Sequence, residues 1–148
     1  MIMGVSEFER LFREAASLDV DKNDLKRMSD FLNQKVYDML LIAQANAKAN
    51  GRDIILAHDL PVTKGLQESM HAFRKMDIAL RLEPILAELA TLPMLDLGYG
   101  VDVEEKLPEI VGTLTVSLAK TFKIIDPKVK NPQTDHWERA EAIFNMLL

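Results

Sequence analysis

The amino-acid sequence predicts an all-α fold of two halves, each a short helix, a long helix and a short helix, packed together in one chain. Three observations predict it. Apolar residues recur at three- and four-residue intervals over long stretches, above all from Leu25 to Ala49. The segments that could be extended are only a few residues long. The order of short and long helical segments in residues 6–62 returns in residues 77–148.

Composition agrees with that class. The chain has 148 residues, 48% of them hydrophobic and 28% charged, enough to build a core and too apolar for disorder. A chain of this length buries about 70% of its unfolded surface, so a single compact domain over residues 1–148 needs no staples. There are no cysteines, which excludes disulfides, thiolate metal sites and a cysteine nucleophile. No run reaches the roughly 18 apolar residues of a membrane span, and the N-terminus lacks a basic-then-apolar signal. The expectation is a soluble, cytoplasmic chain without membrane contact. The net charge is −5, and residues 76–148 hold 7 of the 18 Lys/Arg against 12 of the 23 Asp/Glu. That balance argues against a dedicated nucleic-acid binder, whose affinity rests on neutralising phosphates.

Each element follows from local signals. SEFERLFREAAS, residues 6–17, puts Phe8, Leu11, Phe12 and Ala15 on one helical face. Ser6 and Glu9 have the spacing of a capping box. After the acidic link LDVDKND, with Asp21 or Asn23 as cap, Leu25, Met28, Leu32, Val36, Met39 and Ala43 mark a helix of about 25 residues, close to 40 Å long. Asn50-Gly51 is a stop signal. Asp53–Leu56 can form only a very short strand. A helix is expected to resume at Ala57, with Pro61 in its first turn. Residues 63–76 read as a helical connector. Residues 77–91 read as a helix with Pro84 in or near its first turn. Then LPMLDLGYGVD forms a link, and Asp102 with Glu105 caps a second long helix, in which Pro108 predicts a bend or restart. Ile110, Leu114, Leu118 and Phe122 continue it. IDPKVKNPQ is a short extended piece, and Thr134 or Asp135 caps the final helix, HWERAEAIFNMLL.

One stretch is more specific. In "AKANGRDIILAHDL", Gly51-Arg52 precedes Asp59 by seven residues at a helix start. Together with "FERLFREAASLDV", this makes residues 5–62 resemble an archaeal histone. The resemblance implies that Arg52 and Asp59 form a salt bridge clamping the second loop onto the last helix; without it, Asp59 would be an ordinary cap and Arg52 a solvated side chain. A single histone fold is not stable alone, because its long helix has two apolar faces and a second copy covers one. Residues 77–148 would supply a divergent second copy, with Lys128 and Asp135 at the same spacing, Val129 as strand and "TDHWERA" as helix start. Lysine lacks arginine's planar fork, so this clamp would be the weaker. The whole chain thus resembles a small bacterial family, many members thermophilic, that fuses two histone folds into an intramolecular pseudo-dimer, a monomer by that reading, with no settled function.

The same resemblance bears on DNA. Archaeal histones hold phosphates with basic residues on the first helix, where Arg10 and Arg13 stand here. They use an arginine near the end of the first loop, where this chain has Asp19, and a lysine and threonine after the clamp, where it has Asp53 and Ile54. Lys120, Lys123, Lys128 and Lys130 form either a further phosphate-binding cluster or a solvated face and loop. The acidic first link would also lie beside basic PKVK, so these charges can satisfy each other.

Signals for catalysis are weak. There is no Walker-A, GxGxxG or GxSxG pattern, and Gly98-Tyr99-Gly100 reads as a turn. His58, His71 and His136 are far apart, and His58-Asp59 and Asp135-His136 sit at helix starts, where capping explains them. Trp137 reads as core. The pairs Glu104-Glu105 and Glu83/Glu88, with Glu7, Glu9 and Glu14, read as solvated carboxylates. The expectation is a non-enzymatic structural or protein-interaction protein with an unidentified protein partner, no cofactor and no metal. The alternative is a weak, sequence-nonspecific DNA binder using Arg10, Arg13 and Lys120 to Lys130.

Overall fold

Two hydrophobic residues ahead of the first helix decide where the fold begins. In the computed structural model, which describes residues 1–148, Ile2 and Met3 are buried, and the Ile2 backbone N–H donates to Ser29 Oγ at 2.8 Å. The chain leaves the core at Gly4 and turns at once into α1 (Val5–Ala16), with Gly4 as N-cap. Ser6 is therefore already inside the helix, and no side-chain cap forms. Phe8, Leu11 and Phe12 are buried, as the periodicity requires.

The long helix α2 (Lys22–Ala49) starts where Asp21 accepts a hydrogen bond from the Asn23 N–H at 2.8 Å. It ends at Asn50, with Gly51 in the left-handed region at φ 70°. Strand β1 (Ile54–Ile55) follows, then one 3-10 turn over Ala57–Asp59. The helix expected from Ala57 through Pro61 does not form. Leu60 is held extended at ψ 132°, the region preferred before proline. Helix α3 (Lys64–Lys75) starts afresh at Thr63, whose Oγ1 accepts from the Leu66 N–H at 3.2 Å.

Helix α4 spans only Leu82–Leu89, with Pro84 in its first turn; residues 77–81 lie outside it, after Asp77 turns the chain at φ 52°. Gly98-Tyr99, expected as a turn, forms strand β2 instead. It pairs in parallel with β1, Ile54 opposite Gly98 and Ile55 opposite Tyr99. Helix α5 (Val101–Ile125) runs through Pro108 without a restart and is capped by Gly100, not by Asp102. The Asp102 carboxylate is taken elsewhere: it accepts from the Ala57 N–H at 2.8 Å, at the start of the 3-10 turn. Val129 lies in a turn, not a strand, and α6 (Thr134–Leu147) is capped by Gln133 rather than by Thr134 or Asp135.

α5 is the axis of the molecule. It packs against α1, α2, α3, α4 and α6, and its residues from Ile110 to Val116 are all buried. At Gly112 the Phe73 ring of α3 lies directly on α5: a Cβ built there would overlap it. Phe12, Phe122 and Trp137 join α1, α5 and α6, with the Phe122 and Trp137 rings 4.8 Å apart at 72°. One continuous core of 35 buried hydrophobic residues runs through residues 2–144. No helix is long and apolar enough to cross a membrane.

Candidate functional site

The two ends of the molecule carry related loop junctions. At the first, Gly51 turns the chain out of α2 and delivers Arg52 to the 3-10 turn. Its guanidinium meets Asp59 through two bonds of 2.6 Å, Nη1 to Oδ2 and Nη2 to Oδ1. This is the planar fork-on-fork geometry that arginine alone provides. The Asp59 side chain is 2% exposed, and its Oδ2 also accepts from the Leu56 N–H at 2.8 Å. Arg52 Nη1 reaches back to the Ile54 carbonyl, and Asn46 Nδ2 donates to the Asp59 carbonyl. One ion pair thus holds α2, β1 and the 3-10 turn together. The Arg52 hydrogen bonds hold the Asp59 carboxyl far below the usual carboxylate range; burial opposes them and the Leu56 N–H assists.

The second junction is built differently. Lys128 and Asp135 do not form an ion pair. Residue 128 sits in a tight turn, with its own N–H donating to Asp126 Oδ1 at 3.1 Å and the Val129 N–H to the Asp126 carbonyl. Both the Lys128 and Asp135 side chains face solvent. The clamp there is Asp126 with His136, Oδ2 to Nε2 at 3.1 Å. The acid now comes from the loop after the long helix and the base from the last helix, reversing the order of Arg52 and Asp59. The imidazole, followed by the Lys128 N–H, holds the Asp126 carboxyl below its usual range. The His136 Nδ1 accepts from the Gln133 N–H at 2.9 Å, and Lys123 Nζ donates to the Val129 carbonyl at 2.6 Å. Sequence reasoning missed this pair, although an acid at the end of a long helix and a histidine in the next helix's first turn were both visible.

Backbone contacts join the loop at each junction to the loop before the other long helix. The β1–β2 pair links the loop after α2 to the loop before α5. At the other end, the Asp19 N–H donates to the Lys130 carbonyl at 2.6 Å, linking the loop before α2 to the loop after α5.

The candidate DNA-binding residues divide. Arg10 is tied to Glu14 at 3.3 Å and to the Met76 carbonyl at 3.2 Å, and Lys123 to Val129. Arg10 is nonetheless exposed, as are Arg13, Lys120, Lys128, Lys130, Asp19 and Asp53. His58, His71 and His136 lie on three separate elements, and no group of three metal-ligating side chains converges. Trp137 is buried in the core, with its indole N–H unpartnered. Lys35 is a second residue that sequence reasoning missed. Its side chain is only 4% exposed, bonded to Asp38 at 3.2 Å and beside the Phe31 ring. Its position among Leu32, Val36 and Met39 was the available signal. Between α2, α4 and the link into β2 lies an apolar groove of about 710 Å³, lined by Tyr37, Leu40, Leu86, Leu89, Leu95 and Tyr99.

Fold and junctions together define a class: a mostly helical chain with one core, two short strands and a side-chain clamp in the loop after each long helix. The chain belongs to the family described as "Domain of unknown function (DUF1931)", whose profile matches residues 8–145. Two Aquifex aeolicus proteins, both described as uncharacterized, are similar to it. One is 24% identical over 81% of this chain and 70% of its own length, the other 28% identical over 85% and 81%. A crystal structure of a Thermus thermophilus protein is 60% identical and superimposes with a TM-score of 0.97 over 100% of both chains. A crystal structure of an Aquifex aeolicus protein shares the fold at 21% identity, with a TM-score of 0.80 over 99% of this chain and 97% of that one.

Proposed function

We propose that this chain is a histone-fold pseudo-dimer acting as a structural or protein-interaction module, without catalysing a reaction. The crossed loop contacts support the histone part of that reading. In a histone dimer the first loop of one half lies beside the second loop of the other. Here β1 pairs with β2 at one end, and Asp19 bonds to Lys130 at the other. The bidentate Arg52–Asp59 pair agrees with the histone clamp. In this reading α3, over the residues expected as a connector, is the last helix of the first half, and it packs on α5 of the second.

The observation that carries the functional reading is the state of the basic residues. Arg10 already gives two of its donors to Glu14 and the Met76 carbonyl, and half-buried Lys123 gives one to the Val129 carbonyl, so both would meet a phosphate with part of their capacity in use. Exposed Asp19 and Asp53 add repulsion at the two loop junctions. The groove beside Tyr37, with Met94 exposed at its edge, supports a protein partner.

Titrating a duplex DNA with the intact chain from about 50 to 150 mM salt separates this reading from its rival. The expected result is weak binding that is lost at the upper salt. Tight binding there would overturn the interaction reading. It would favour a sequence-nonspecific DNA binder using the exposed Arg13, Lys120, Lys128 and Lys130.

A further inference from the structure

The turn between α5 and α6 is held by an imidazole whose two nitrogens face opposite kinds of partner. Nδ1 of His136 lies 2.9 Å from the backbone nitrogen of Gln133, the N-cap of α6. A backbone N–H only donates, so Nδ1 is the bare, accepting nitrogen. Nε2 then carries the ring proton and directs it at Asp126 Oδ2, 3.1 Å away. In this arrangement Nδ1 is the accepting and Nε2 the donating nitrogen, and the side chain is 12% exposed.

We propose that His136 is a proton-operated latch on the loop of residues 126–133: a proton taken up at Nδ1 removes the acceptor of the Gln133 N–H and turns that nitrogen toward Asp135. The added hydrogen would face the Gln133 hydrogen across 2.9 Å, so the bond cannot persist. Asp135 Oδ1 stands 3.7 Å from the same nitrogen and is its ready replacement. The Nε2–H bond to Asp126 is present in both states. The ring moves about a kept contact while the cap of α6 opens. The proton comes from solvent, and no other bond is made or broken.

The surroundings accommodate the imidazolium. Two carboxylates face the ring, Asp126 from the loop and Asp135 from α6. From α5, Lys123 opposes them, engaged with the Val129 carbonyl and near Asp126. Lys128 and Lys130 on the loop and Arg139 on α6 are exposed, and Asp19 on the neighbouring loop meets this one through its backbone N–H. The result is a local opening, not unfolding. The opposite junction also has a histidine, His58, with Nε2 3.5 Å from Arg52 Nη2 and 3.9 Å from Asp59 Oδ1, but there the Leu56 N–H is held by the Asp59 carboxylate and not by the imidazole. A proton on the imidazole would therefore release a backbone N–H at the second junction, on the loop that carries Lys128 and Lys130, and not at the first.

Nitrogen-15 spectra of the intact chain between pH 8 and 5.5, the range in which histidines change charge, test the latch. At pH 8 His136 should show the proton on Nε2. As the ring takes up its second proton, exchange protection of the Gln133 amide, corrected for intrinsic rate, should fall about fivefold, the population change that a typical cap controls. The Leu56 amide, bonded to Asp59, should keep its protection. His136→Gln retains an acceptor at the third helical position but has no proton to gain, so its Gln133 protection should not vary with pH. A proton on Nδ1 at pH 8 would overturn the proposal. So would unchanged Gln133 protection through the titration, or the same loss in His136→Gln. Should that variant fail to fold, the tautomer and protection of the parent decide the matter alone.

Discussion

Arg52 grips Asp59 with two hydrogen bonds of 2.6 Å, and the carboxylate it holds is 2% exposed. Folded Asp59 takes up a proton only at more acidic pH than the unfolded chain, where a free aspartate does so near pH 3.9. Its contribution to stability is therefore complete at neutral pH and is lost as pH falls below about 4. Thermal melts of the parent and Asp59→Asn should differ most at neutral pH and converge in strong acid. The neutral-pH loss should exceed that of Asp135→Asn. Equal melting of Asp59→Asn and the parent at pH 7 would refute the clamp.

Lys128 and Asp135 provide the matching control. Both face solvent and neither bonds the other. A double-mutant cycle with Lys128→Ala and Asp135→Ala should give a coupling energy near zero, and Lys128→Ala alone should change stability by no more than about 0.5 kcal/mol. A coupling above about 1 kcal/mol would mean that the lysine does close the second junction.

Gly112 is required by the ring lying on it. In an exposed helix, Gly→Ala stabilises by about 1 kcal/mol. Here the new methyl would meet the Phe73 ring between α3 and α5. Gly112→Ala should destabilise by about 1–3 kcal/mol despite its helix propensity. Adding Phe73→Leu should recover part of that loss. Denaturant midpoints read both, and a stabilised single variant would show that α3 sits farther from α5.

The DNA question can be pushed the other way. Asp19 and Asp53 are exposed, one at each crossed loop junction. Asp19→Arg with Asp53→Lys should gain salt-sensitive affinity for duplex DNA without sequence preference, because phosphate contacts position without reading bases. No gain would argue against these junctions facing DNA in a histone-like manner.

Much of the fold was legible because its signals are local. Asp21 caps α2 with an oxygen that needs only a backbone N–H two residues away. Gly51 ends the helix because a left-handed residue is cheapest without a Cβ. Other signals of the same kind failed where another group intervened. Ser6 had the spacing of a cap, but burial of Ile2 and Met3 started the helix ahead of it. Asp102 had a capping partner at Glu105, but its carboxylate serves Ala57. Lys128 kept arginine's spacing, but the turn closed by Asp126 points it outward.

The sequence by itself determined the mostly helical class and the two long helices, because periodicity and caps are settled by groups close together along the chain; the Arg52–Asp59 pair was legible through the resemblance of its stretch to a histone. Only the tertiary structure decided the parallel pairing of Ile54–Ile55 with Gly98–Tyr99, the bond from Ala57 to Asp102 and the binding of Asp19 to Lys130. Each joins backbone or side-chain groups more than 40 residues apart. Their partners are chosen by the way α1 and α3 pack on α5, and no local pattern in either segment records that choice.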